Sequence, residues 1–288
     1  MKRLTALFVV LTLSPNLFAW GPTGHRIVAR IAQAHLRDSA RLQIRQLLGN
    51  NDLAAISIWA DEIKTLRPET ASWHFVDIPM NSSGFYEPRD CHRPNDKNAL
   101  ASADHHNCVV DRIESFAQVL ADRNASHDDR VEALKFLVHF VGDVHQPLHA
   151  IAEARGGNDV HVLEFGTSQC GNRPCNLHFA WDIGLIEHSH RSESEYLAFL
   201  SRMISSRNLR GQLGGTPEDW ANQSFRLARQ VWLSDGEPVD EAYYEKNIHV
   251  VDEQLALAGL RLAALLNNVL GGLAQGAAAS HQHQAAKR

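Results

Sequence analysis

Apolar positions along this chain recur mainly at intervals of three and four, the period of a helix packed on one side. Ile27, Val28, Ile31 and Ala32 make the first such stripe, within residues 20–36. Residues 39–48 predict a second helix, closed by Gly49 where helices commonly stop. A third is expected over 52–65. Val109, Ile113, Phe116 and Leu120 place another over 109–123, and Leu197, Leu200, Met203 and Ile204 one over 192–205. Thr216-Pro217-Glu218-Asp219 joins a cap, a proline in the first turn and two acids, so a helix should start there and run to about Trp232. A Leu-rich helix is expected over 247–270. Only Val160 to Phe165 reads as a strand, as half of a hairpin. Residues 79–107, rich in Pro, Asn, Asp and Ser, read as a long loop. Residues 271–288 hold mainly Gly, Ala, Gln and His and read as a disordered tail. No linker or repeat divides the chain. The expectation is a mostly α, single-domain fold over 20–270 with at most a short hairpin.

One helix breaks the pattern. Ser126 and Asp129 form a candidate capping box at its start. Farther on, the run Val138 to His149 mixes a core stripe with ligand-type residues. Leu134, Val138, Val141 and Val144 should press the helix into a core. His139 and Asp143 stand four apart, as do His145 and His149, so each pair shares a face one turn apart. Pro147 lacks an N–H, so the helix should kink or end near it and aim His149 elsewhere. His/Asp at this spacing suits zinc, with nitrogen from one turn and oxygen from the next. Burying so many polar groups unpartnered would cost about 1–3 kcal/mol each, which argues against a purely structural helix.

Composition adds three constraints. The first nineteen residues read as a secretory signal: Lys2 and Arg3, the apolar stretch Leu4 to Leu13, a break at Ser14-Pro15-Asn16, and cleavage between Ala19 and Trp20. The product would be secreted or periplasmic. The apolar run is too short to cross a bilayer, and no other segment is expected to qualify as a span. Four cysteines then favour disulfides. They allow three connectivities, of which the local pairs Cys91–Cys108 and Cys170–Cys175 are preferred over a zinc knuckle. The 28 basic side chains against 33 acidic give a net charge of −5, deeper by two once Lys2 and Arg3 are removed. No basic stripe marks a nucleic-acid binder. Seventeen histidines are the compositional signal to follow.

Three further places hold ligand-type residues: His25 just after Trp20, Asp61 and His74 flanking a turn, and the i, i+4 pair His178 and Asp182. Taken together, Trp20-Gly21 with Gly24-His25, Trp59-Ala60-Asp61, His74-Phe75, His139-Phe140-Val141-Gly142-Asp143, Gln146-Pro147-Leu148-His149, Gly156-Gly157-Asn158 and His178 with Trp181-Asp182 resemble the S1/P1 nuclease family. The motifs span 20–182 in the family's order.

The resemblance implies a secreted helical nuclease with three zinc ions per chain. It would cut single-stranded DNA and RNA to 5′-phosphates and act on 3′-nucleotides, as a monomer without a membrane anchor. Carried over residue by residue, Asp61, His74 and His139 would bind one zinc, with Asp143 bridging to a second. The second would also take His25 and the amine and carbonyl oxygen of Trp20. His149, His178 and Asp182 would take the third. Three dications against Asp61, Asp143 and Asp182 leave roughly +3 locally, so an acidic protein still attracts an anionic substrate. By resemblance, Phe75 stacks a base, Asp77 bonds its edge, Lys64 meets the phosphate, and Arg155 and Asn158 border the base pocket. For Phe75 the competing reading is core packing, for Lys64 a solvated helix face, and for Asn158 a turn. Arg155 fills a slot that is apolar in some family members. His145 matches no ligand position and reads as structural. Two rivals stand beside the nuclease: a zinc-dependent phospholipase C, similar in fold and metal ligands, and a non-catalytic zinc-binding secreted protein. Phe75-Val76-Asp77 and Gly156-Gly157-Asn158 favour the nuclease.

Overall fold

The fold comes from a computed structural model that describes residues 20–91 and 107–285, with side chains described to Gly271. The proposed leader, 1–19, and most of the loop between Cys91 and Cys108 lie outside the described residues. The first helices are α1 (Pro22–Ala34), α2 (Asp38–Leu48) and the single turns α3 (Leu53–Ile56) and α4 (Trp59–Glu62). Two 3-10 segments follow, Ile63–Thr65 and Pro68–His74, then α5 (Glu87–Asp90), α6 (Val109–Ala121) and α7 (His127–Asp143). A 3-10 turn at Pro147–Ala150 leads to α8 (Ala154–Gly157). Next come β1 (Leu163–Glu164), the hairpin β2 (Gln169–Cys170) and β3 (Arg173–Pro174), α9 (Leu177–Phe179), a π turn at Ala180–Gly184, and α10 (Leu185–His188). The chain closes with α11 (Glu193–Ser206), α12 (Pro217–Val231), β4 (Pro238–Val239) and α13 (Glu241–Ala285). The mostly α class holds.

α7 is the axis. From Ala133 to Asp143, every residue except Lys135 is buried, whichever side of the helix it is on. Leu134, Val138, Val141 and Val144 are all fully buried, as the apolar stripe requires. Ser126 caps the helix by accepting from Asp129 N. α1 packs on α13, and α6 on α7. The α1–α13 crossing is close because of Gly259: a Cβ there would sit 2.5 Å from Ile31 Cβ and 2.9 Å from Val28 O. Thr216 and Asp219 form the capping box of α12 that the sequence indicates.

Several expectations change. The helix expected over 52–65 is broken into α3, α4 and a 3-10 turn, which frees Asp61 to point inward. The strand expected from Val160 to Phe165 shrinks to β1, and its partner is β4 in parallel, with Leu163 opposite Pro238. It is also a hairpin arm: Phe165 and Gly166 take left-handed φ values of 47° and 86°, the two-residue turn that joins antiparallel strands, and Glu164 and Thr167 exchange backbone hydrogen bonds across it at 2.8 and 3.0 Å. A second, shorter hairpin lies at 169–174. α13 runs on to Ala285 through a stretch rich in alanine, the strongest helix former. The expectation that no segment after the leader qualifies as a membrane span also changes. By length and composition Glu241–Gly271 is apolar enough to cross a membrane, yet 72% of its apolar window is buried inside the molecule. Both local disulfides, Cys91–Cys108 and Cys170–Cys175, are formed.

Candidate active site

α7 delivers His139 and Asp143 to a buried point where α1, α4 and the 3-10 segment Pro68–His74 converge. α1 brings His25, α4 brings Asp61, and the 3-10 segment ends in His74. Asp143 Oδ2 lies 2.9 Å from His74 Nδ1 and 3.4 Å from His139 Nε2. Its other oxygen, Oδ1, lies 3.3 Å from His25 Nε2. Asp61 Oδ1 stands 3.5 Å from His139 Nε2 and 3.8 Å from His74 Nδ1. The His25 and His139 rings stack at 3.8 Å.

A second cluster sits where the 3-10 turn Pro147–Ala150 meets the π turn. His178 Nε2 lies 3.4 Å from Asp182 Oδ2, and His149 Nε2 lies 3.9 Å from Asp182 Oδ1. The two clusters are joined directly. His149 Nδ1 donates to His74 O at 2.8 Å, and Val76 N donates to His149 O at 2.8 Å.

Could these residues hold metal? Two donors about 2.1 Å from one tetrahedral ion lie ~3.4 Å apart, close to the spacings here. Hydrogen bonding agrees. In His139, His149 and His178 the Nδ1 is tied to the carbonyls of Ser57, His74 and Gly156. That fixes the proton on Nδ1 and leaves Nε2 with its lone pair directed inward, as a metal-binding imidazole needs. Buried nitrogens of His25, His139 and His149 and Asp143 Oδ1 have no hydrogen-bond partner. Groups of this kind cost free energy when left unpaired, and an ion removes that cost. The donor set fits zinc.

Electrostatics follow from burial. Desolvation holds His25, His74 and His149 well below the ordinary imidazole value and His178 at about 4, so all four are neutral ligands near pH 7. Desolvation pushes Asp143 and Asp182 well above the ordinary carboxylate range. Asp61 feels the same burial, but His139, Lys64 and His74 outweigh it and hold its carboxyl well below that range. Lys64 Nζ lies 2.6 Å from Asp61 Oδ1, an ion pair on the rim of the cluster.

The strip from His74 to Ile78 alternates. Val76 and Ile78 are buried, while Phe75 and Asp77 are half-buried on the opposite side. Phe75 thus keeps part of its ring exposed. Arg155 is exposed and forms a bidentate pair with Asp159 at 2.9 and 2.6 Å. Asn158 Nδ2 donates to Arg155 O at 2.8 Å, so its side chain closes the turn.

Some supporting residues escaped the sequence reading. Gln146 Nε2 donates to Asp182 Oδ1 at 2.6 Å, and its Oε1 accepts from Leu148 N. Gln146 is fully buried between the two clusters. Gly142 is needed because a Cβ there would stand 2.9 Å from His25 Nδ1. Gly156 carries φ 65° within a left-handed turn, and a Cβ there would reach Leu148 O at 2.5 Å. Trp20 is fully buried against Gly24 and Gly142, beside His25.

The family profile described as S1/P1 Nuclease matches residues 20–271. The chain belongs to the S1/P1 nuclease family. Membership makes it a nuclease, a phosphodiester hydrolase acting on single-stranded nucleic acid. Endonuclease 2 of Arabidopsis thaliana is 28% identical, with 94% of this chain and 99% of the relative aligned. Endonuclease 4 of the same plant is 30% identical, over 93% and 95%. Nuclease P1 of Penicillium citrinum is 29% identical, over 88% and 98%. Both disulfides fit the oxidising compartments in which secreted proteins reside.

Proposed function

We propose that this nuclease works with three zinc ions, cuts single-stranded DNA and RNA to leave 5′-phosphates, and removes phosphate from 3′-nucleotides. Asp61, His74 and His139 would hold one ion. Asp143 would be shared between it and a second, held also by His25 and by the amine and carbonyl of Trp20. His149, His178 and Asp182 would hold the third. The observation that carries this reading is Asp143: its two oxygens face different histidines, Oδ1 toward His25 and Oδ2 toward His74 and His139. A carboxylate shared by two ions needs that division.

Bound zinc supplies Lewis acidity, which makes water a usable nucleophile and offsets charge on the phosphate. The chain's residues supply the frame. The neutral imidazoles of His25, His74, His149 and His178 leave their lone pairs for the ions. Lys64 adds positive charge at the rim, where a phosphate oxygen would enter. Phe75 offers a ring face that accepts any base, which suits a sequence-tolerant enzyme. Asp77, on the same side two residues on, accepts from the base edge. Arg155 and Asn158 shape the rim of this pocket through the left-handed turn.

Export completes the site in this account. The α-amino group of Trp20 exists only after cleavage behind Ala19; before it, that nitrogen is an amide with no lone pair for zinc. A free amine has a pKa of about 8, low enough for zinc to displace its proton near neutral pH. The test compares three purified forms: one starting at Trp20, one with an extra Ala ahead of it, and one retaining the leader. Three zincs and full activity on single-stranded DNA are expected only in the first. Equal zinc and activity in the extended forms would remove Trp20 from the site.

A further inference from the structure

Behind the site, α7 ends at Asp143 and passes the chain to the turn that carries His149. The last carbonyls of a helix have no partner inside it. Here those of Phe140, Gly142 and Asp143 are met by the next backbone N–H groups and that of Val141 by the His145 ring, while the carbonyls of Val144 and His145, just past the helix, are met by side chains from the far end of the sequence. Ser224 Oγ, on α12, donates to Val144 O at 2.6 Å. Gln254 Nε2, on α13, donates to His145 O at 2.9 Å and to Ser224 Oγ at 3.3 Å. Arg261, also on α13, donates through Nη1 to His145 Nε2 at 2.8 Å and to Gln223 Oε1 at 2.8 Å. His145 Nδ1 in turn lies 2.7 Å from Val141 O. His145 and Ser224 are fully buried, Gln254 is 1% exposed and Arg261 7%.

Arg261 stands out in this plug. Its guanidinium faces Gln212 O, Gln223, His145 and the Trp220 ring, and no carboxylate pairs with it among the described residues. Nε has no hydrogen-bond partner. Burial pulls its pKa down to about 10. Asp219 is the carboxylate that acts on it, without forming an ion pair, and a buried charge so weakly compensated adds little to the stability of a fold. What it does supply is direction. A guanidinium only donates, so His145 Nε2 must accept. The proton then sits on Nδ1, and that N–H is what holds Val141 O. A neutral replacement would free His145 to take the other tautomer and release the last turn of α7.

We propose that Arg261 is a positioning residue of the active site: with Ser224 and Gln254 it locks the backbone of residues 141–145 and so fixes how Asp143 and His149 face their ions. This rests on the reading of Asp143 and His149 as zinc ligands.

The test uses the full processed chain with Arg261→Met, Arg261→Lys and Ser224→Ala. Zinc affinity is read by chelator competition, the melting temperature on metal-free protein, and kcat and KM on single-stranded DNA. For Arg261→Met, zinc affinity should fall ~10–100-fold, the scale for partners that orient ligands. Its kcat should fall while KM holds, and its metal-free melting temperature should not drop, because an unpaired buried charge has gone. Arg261→Lys should recover part of the loss by restoring one donor. Parent zinc affinity in Arg261→Met, or a loss matched by a lowered metal-free melting temperature, would overturn the proposal. If Arg261→Met does not fold, Ser224→Ala decides: several-fold weaker zinc supports the clamp, unchanged zinc overturns it. Asp143→Asn, run alongside, reports on the ligand reading itself. Zinc retained there overturns that reading; zinc lost there with Arg261→Met unaffected overturns only the clamp.

Discussion

The two donor clusters are built on different kinds of backbone. The one around Asp143 rests on regular α-helix: α7 supplies two of its residues four apart, and α1 lays His25 against Gly142. The one around Asp182 rests on irregular turns. His149 sits on a 3-10 turn after Pro147, Asp182 on a π turn, and His178 is held by the carbonyl of Gly156 in a left-handed turn. Asp143 divides its oxygens among three histidines. Asp182 has Oδ1 committed to Gln146. Both clusters are buried and stack their histidines, but in the turn cluster the backbone that carries the ligands is itself held by individual hydrogen bonds, from Gln146 to Asp182 and Leu148 and from His178 to Gly156. The first should fail as a unit and the second one bond at a time.

Asp143→Asn should have the largest effect. An amide cannot serve two ions, so both should weaken and turnover should fall by more than ~100-fold, beyond what loss of an orienting partner costs. Zinc per chain and turnover on single-stranded DNA, measured together, would show it; near-normal values would contradict a shared carboxylate.

Gln146→Leu should separate the clusters. It removes the donor to Asp182 Oδ1 and keeps the volume. Affinity at the turn cluster should drop ~10–100-fold while the ions near Asp143 remain. Stepwise chelation resolves the two classes of ion, and a uniform loss from both would mean the clusters are not independent.

How much of this was legible in the sequence depended on the backbone. Helical spacing exposed His139 and Asp143, because four residues on an α-helix define a face. The same rule pointed to His178 and Asp182, although their backbone passes into a π turn between them. Asp61 and His74 showed up by resemblance rather than by period, since broken helices carry none. The supports were silent: Gln146, Ser224, Gln254 and Arg261 act through contacts up to 116 residues apart. The strand near 160–165 ends sooner than the sequence suggests because the chain turns at Phe165, whose left-handed φ is not a preference any aromatic residue advertises. Glu164, beside that turn, had no partner in sequence that could have marked it.

Glu164→Gln should have the smallest effect, confined to the ground beneath the turn cluster. Glu164 packs against Gly184 of the π turn and lies 3.4 Å from Cys170 Sγ, a disulfide sulfur with no proton to give. Burial, with Glu187 nearby, pushes its carboxyl up to about 7. An unfolded Glu titrates near ~4.3. Between those values the folded chain keeps a proton that the unfolded chain has lost, so this group's contribution is most favourable below ~4.3 and is lost as pH rises to about 7. Glu164→Gln should remove that slope and raise stability at pH 8 by about 1–3 kcal/mol. Denaturant titrations of both proteins from pH 4.5 to 8 would check it; parallel curves would contradict the buried-acid account.

The most direct measurement is the zinc content of the chain beginning at Trp20, followed through chelation and zinc return, with hydrolysis of single-stranded DNA assayed at each step. The account predicts three zincs at the start, loss of hydrolysis as they leave, and recovery when zinc is restored. Hydrolysis that persists in metal-free protein, or full activity with a single zinc, would contradict it.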